Sequence, residues 1–121
     1  MSADTPASYP VVIDPEYSAF LVKARIIGPQ EGYAIALHGS QTRDFDVIAV
    51  PWITECRSPK NLVTRICFNT GWKMQSETPV EREHGRLVWS LLREEFGDPR
   101  FVDFSVMPPL GMGVDSPGGP Q

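Results

Sequence analysis

The sequence predicts an α+β fold, a small mixed or antiparallel β-sheet covered by two helices, and three observations carry that prediction. Tyr33 to Trp52, YAIALHGSQTRDFDVIAVPW, holds two apolar strand-like runs joined by a short polar turn, which is a hairpin signal. Two stretches open on a capping residue followed by proline, Asp14-Pro15 and Ser58-Pro59, and each continues with apolar residues at helical spacing. The segment FVDFSVM, 101–107, alternates apolar and polar residues as a half-buried strand does.

Taken in order, MSADTPASYP is small, polar and proline-containing, and reads as a flexible N-terminal arm over 1–10. Val11 to Ile13 either add a short strand or pack on the surface. Asp14, Pro15 and Glu16 supply an N-cap, a first-turn proline and a first-turn acid, and Tyr17, Phe20, Leu21 and Ala24 follow with one apolar face. Gly28-Pro29 reads as the stop, so the expected helix spans 15–27, with Lys23 and Arg25 near its C-terminal end. The hairpin strands fall at 33–38 and 44–50, the second closed by Pro51. A second helix starts at Ser58-Pro59, buries Leu62, Val63, Ile66 and Cys67, and ends before Gly71.

From Trp72 to Glu83 the composition turns polar and reads as a surface loop. The next segment, GRLVWSLLREEF, supports two readings. SLLREEF has helix propensity, whereas RLVWSLL suits a strand buried on both faces, and a strand at 86–92 is favoured. Gly97-Asp98-Pro99 then turns the chain into FVDFSVM. The remainder, PPLGMGVDSPGGPQ, is too rich in proline and glycine to fold alone, so a flexible tail is expected at 109–121 and a single domain over 11–108. Trp52, Trp72 and Trp89 are expected in or over the core.

The 121 residues suit one core, and 41% apolar with 21% charged residues is ordinary for a globular chain. A net charge of −4 argues against broad nucleic-acid binding, which shows a basic field. No apolar run approaches the roughly 18 residues of a membrane span, and the opening residues lack the regions of a secretion signal. No membrane partner is therefore expected, and Cys56 and Cys67 are expected as free thiols in the cytoplasm.

The chemistry gathers at the hairpin. Asp44 and Asp46 lie two apart in a strand, hence on one face and about 7 Å apart. Like charges so placed need solvent, hydrogen bonds or a cation. In FVDFSVM, Val102, Phe104 and Val106 share one face, and Asp103 and Ser105 the other. If the two strands are neighbours, Asp103 joins Asp44 and Asp46 in a three-carboxylate cluster of the kind that holds Mg²⁺ or Mn²⁺. The Gly39-Ser40 turn offers backbone N–H groups and a hydroxyl to an anionic phosphate. His38 is expected to be structural rather than a base or ligand, and His84-Gly85-Arg86 a surface turn rather than a cation aimed at phosphates.

An apolar strand ending in Gly-Ser, an Asp-x-Asp opening the next strand and an acid on a later one resemble the nucleotidyltransferase superfold. The resemblance implies a nucleotide triphosphate gripped at Gly39, Ser40 and Arg43, and metal ions held by Asp44, Asp46 and Asp103 as the catalytic carboxylates. It covers 33–50 and 101–107, and the Gln41-Thr42-Arg43 spacer is shorter than the family's usual one, which removes most of the short helix that positions phosphates there. The wider pattern LHGSQTRDFDVIAVPW, HGRLVWS and VDFSVMP also resembles a group of small phage and prophage proteins, a likeness that brings no activity with it. The acidic charge and the short spacer favour an alternative function, a non-catalytic, phage-encoded binding protein that modulates a host protein in the host cytoplasm.

Overall fold

The computed structural model describes residues 14–38, 45–93, 97–98 and 100–109. The expected N-terminal arm, Val11–Ile13, Gly39–Asp44 and all but the first residue of the expected tail lie outside them. The architecture is α+β. Helix α1 (Pro15–Glu31) leads into β1 (Tyr33–His38) and β2 (Phe45–Pro51), followed by α2 (Pro59–Thr70). Two short strands, β3 (Lys73–Met74) and β4 (Val80–Glu81), precede a one-turn 3₁₀ segment at Glu83–Gly85, then β5 (Leu87–Leu92) and β6 (Phe101–Val106).

Among the described residues the six strands form one mixed sheet in the order β1-β2-β6-β5, with β3 and β4 sharing the outer edge of β5. The hairpin β1–β2 and the pair β5–β6 are antiparallel, whereas β2 and β6 run parallel. Alternation decides what each face carries. Phe45, Val47, Ala49, Val102, Phe104, Val106, Trp89 and Leu91 are buried with Phe20, Leu21, Ala24 and Ile27 of α1 and Leu62, Val63 and Ile66 of α2. Phe20 packs edge-on against both Trp72 and Phe104, at ring separations of 5.6 and 6.1 Å. The core therefore lies between the helices and one sheet face, and the polar members of each strand fall on the other.

The caps act as the sequence implies. Asp14 accepts the Glu16 N–H at 2.9 Å, Ser58 accepts the Asn61 N–H at 3.1 Å, and α2 stops at Gly71 in the left-handed region. The end of α1 differs from the expectation of 15–27. The helix runs through Gly28-Pro29 to Glu31 and is capped by Gly32, so Lys23 and Arg25 lie mid-helix. Gly28 serves an approach rather than a stop: a Cβ there would stand 2.4 Å from Cγ1 of Ile35 on β1. Pro29 is tolerated within the last turn, although it cannot donate to the carbonyl four residues back. The extra turn brings Glu31, only 7% exposed, to α2, where Asn61 Nδ2 and Arg65 Nη1 donate to its two oxygens at 2.9 and 2.8 Å.

Two further expectations are corrected. The polar stretch 72–83 is not simply a loop: Lys73–Met74 and Val80–Glu81 pair with opposite ends of β5, and their exposure gives them too little apolar character to read as strands. Trp52 does not cover the core but is 76% exposed, because the chain leaves the sheet at Pro51 and the indole falls beyond the last paired position. Trp72 and Trp89 are buried as expected. The strand reading at 86–92 is matched by β5, and both cysteines are free thiols.

The start of α1 is fastened to the entry into β6. Arg100 Nε donates to Asp14 at 2.8 Å and Nη1 to Asp98 at 3.0 Å, while Arg93 pairs with Glu16. The guanidinium of Arg100 holds the Asp14 carboxyl below the usual range, helped by the Glu16 N–H. The backbone N–H of Arg100, then its guanidinium, lower Asp98 in the same way.

Candidate functional site

The helix-free face carries one polar row. His38, Asp46, Asp103 and Ser90 occupy matched positions on the consecutive strands β1, β2, β6 and β5. Matched residues on neighbouring strands share a face and stand about 4.8 Å apart, so the Asp46 and Asp103 side chains rise side by side. The sequence left open whether these strands are neighbours; β2 and β6 are adjacent and parallel, with Asp46 opposite Asp103. The in-plane alternative faces are set by burial: Phe45 and Val47 flank Asp46 and point into the core, as Val102 and Phe104 do around Asp103. A slip of one residue in either strand would bury a carboxylate and expose a core side chain, which fixes the register.

Both acids are half-buried. Ser90 Oγ donates to Asp103 Oδ1 at 3.1 Å, which orients that carboxylate from the β5 side. Along β6, Ser105 shares the face of Asp103 yet is only 1% exposed. Its Oγ accepts a hydrogen bond from Arg86 Nη1 at 2.8 Å. Arg86 leaves a tight turn in which His84 and Gly85 both have positive φ, 65° and 77°, and Gly85 faces Pro108, which a Cβ would approach to 3.2 Å. This exposed turn delivers a guanidinium to the sheet face that carries the acids.

Of the residues singled out by sequence, Asp46 and Asp103 are brought together, and His38 lies exposed beside Asp46 on the edge strand. Gly39, Ser40, Arg43 and Asp44 lie outside the described residues. Among the described residues no group of three or more His, Cys, Asp or Glu side chains is placed to hold a metal ion. The donor set that is described, two carboxylates and the Ser90 hydroxyl, is all oxygen and suits a hard divalent cation. Sequence reasoning missed Ser90, and it put Ser105 on the face of Asp103 without giving it a role. Alternation in LVWSLL and FVDFSV puts each on the side away from the core, but pairing them with partners needs the strand register.

A second feature lies at the other end of the hairpin. Trp52 and Ile53, 76% and 48% exposed, border a largely apolar pocket of about 240 Å³ lined also by Pro29, Gly32, Tyr33 and Ala34. No helix among the described residues is long and apolar enough to cross a membrane. Comparison of the chain with family models, with curated proteins and with solved structures returns no match.

Proposed function

We propose that this chain is a nucleotidyltransferase-like domain that binds a divalent cation, Mg²⁺ or Mn²⁺, and a nucleotide triphosphate on its helix-free face. The observation that supports this reading is the register of Asp46 against Asp103 on adjacent parallel strands. Two half-buried carboxylates side by side repel each other, and a cation shared between them offsets that repulsion. Asp46 and Asp103 would hold the ion together with Asp44, and Ser90 keeps the Asp103 carboxylate turned along the face. When bound, such an ion activates an attacking hydroxyl and neutralises a leaving pyrophosphate, the chemistry of nucleotidyl transfer to a hydroxyl. Gly39, Ser40 and Arg43 are the remaining candidates for the nucleotide.

The test is calorimetric titration of Mn²⁺, then of ATP in its presence, into wild type, Asp46→Asn and Asp103→Asn. Saturable Mn²⁺ binding that both substitutions weaken by about tenfold or more supports the reading. Wild type that takes up no Mn²⁺ sinks it.

One observation favours a second reading, that of a phage-encoded binding protein that modulates a host protein. Trp52 and Ile53 expose a large apolar surface beside a pocket, and an exposed tryptophan is the residue type most often found at an interface hot spot. A host partner whose capture is abolished by Trp52→Ser and untouched by Asp103→Asn would establish this reading over the first.

A further inference from the structure

We propose that Arg86 is the phosphate-binding cation of this site, held over the acidic face by Ser105 to take the oxygens of a metal-bound triphosphate. The inference rests on the metal-and-nucleotide reading given above and names the residue that would recognise the phosphate chain. Four observations carry it.

Arg86 precedes Leu87, whose side chain faces the helices, so alternation puts the arginine on the opposite face with Ser90 and Asp103. Its guanidinium is fixed there by a 2.8 Å bond to a hydroxyl that is itself 1% exposed. Among the described residues Arg86 has no carboxylate partner, whereas Arg65, Arg93 and Arg100 all pair with acids. Finally, Ser105 lies two residues from Asp103 on the same strand face, about 7 Å away, so its anchored guanidinium lies along the face that carries the acids.

This charge pattern, acids in one row and an arginine in the next, suits a ligand that carries both a cation and an anion. A planar guanidinium with several remaining N–H donors matches the oxygens of a phosphate, and its single bond to a neutral hydroxyl leaves that capacity available.

The test uses the full chain and two probes, Mn²⁺ alone and inorganic triphosphate with Mn²⁺ present, against wild type, Arg86→Gln and Arg86→Lys. Glutamine keeps a neutral donor toward Ser105 and removes the charge. The expected result is Mn²⁺ affinity at least equal to wild type in Arg86→Gln, with triphosphate affinity lower by about ten- to a hundredfold, partly restored in Arg86→Lys. Triphosphate affinity within about twofold of wild type in Arg86→Gln overturns the proposal and leaves the metal reading standing. Wild type that binds no Mn²⁺ overturns both together. Should Arg86→Gln unfold, Ser105→Ala frees the guanidinium from its anchor with the charge retained. Weakened triphosphate binding at unchanged Mn²⁺ affinity then supports the role, and unchanged triphosphate binding refutes it.

Discussion

Gly28→Ala tests how closely α1 sits on the hairpin that carries Asp46. In an ordinary helix interior the substitution stabilises by about 1 kcal/mol, because alanine loses less backbone entropy than glycine. Here the new methyl would stand 2.4 Å from Cγ1 and 2.8 Å from Cδ1 of Ile35, and 3.1 Å from the Tyr33 carbonyl oxygen. Ile35 is β-branched and packs against the core, so it has few rotamers in which to retreat, and the carbonyl belongs to a paired strand. Overpacking costs about 1–3 kcal/mol, and approaches under 3 Å put this case in the upper part of that range, about 2–3 kcal/mol, which leaves a net loss of about 1–2 kcal/mol once the helix gain is subtracted. For a chain of this length that is a fall of about 4–8 °C in the thermal midpoint. Urea and thermal unfolding followed by circular dichroism read it directly. In an Ile35→Ala background, where both clashing atoms are gone, the same Gly28→Ala change should be neutral or stabilising. A stabilised single variant would refute the close approach and return Gly28 to the role of a helix weak point.

Acid stability follows from the Asp14–Arg100–Asp98 network. Both carboxyls are held below their ordinary value of 3.8 in the folded chain, so the folded state binds fewer protons than the unfolded one as the pH falls. The stabilisation is therefore full above that value and is lost as the pH drops below it toward the folded pKa. Urea midpoints measured between pH 6 and pH 3 should fall more steeply below about pH 4 in wild type than in Asp98→Asn; parallel curves would contradict the network. Burial pushes the Cys67 thiol up to about 11. Iodoacetamide at pH 8 should alkylate it roughly a hundredfold more slowly in the native chain than in urea, and equal rates would show that the α2 face is open there.

Much of the frame is legible in local chemistry. Asp14-Pro15, Ser58-Pro59 and Gly71 mark helix ends because capping and positive φ are properties of single residues and their immediate neighbours. The face of Asp103 is legible for a similar reason, since Val102 and Phe104 on either side commit it to the side away from the core. The partnership of Asp46 with Asp103 is not, because 49 residues, 52–100, separate the strands and a parallel pair leaves no local turn signal. Gly28-Pro29 misleads for an instructive reason. Both residues are common helix terminators, yet here one permits close packing and the other falls in the last turn, and only the neighbouring strand distinguishes these uses. The short strands β3 and β4 escape notice because an exposed two-residue pairing buries almost nothing. The exposed Trp52 shows the reverse case, a residue type that usually signals burial but lies one step past the end of its strand.

In the proposed site, Asp46 and Asp103 share an ion on the helix-free face. Paramagnetic broadening by Mn²⁺, mapped residue by residue on the amide spectrum at substoichiometric metal, tests it most directly. Signals of Asp46, Asp103 and Ser90 should disappear first, those of Phe68 and Asn69 on α2 should persist, and Asp103→Asn should abolish the pattern. Broadening spread evenly over the exposed acids Glu55, Glu77 and Glu81, with Asp46 and Asp103 no more affected than these, would contradict it.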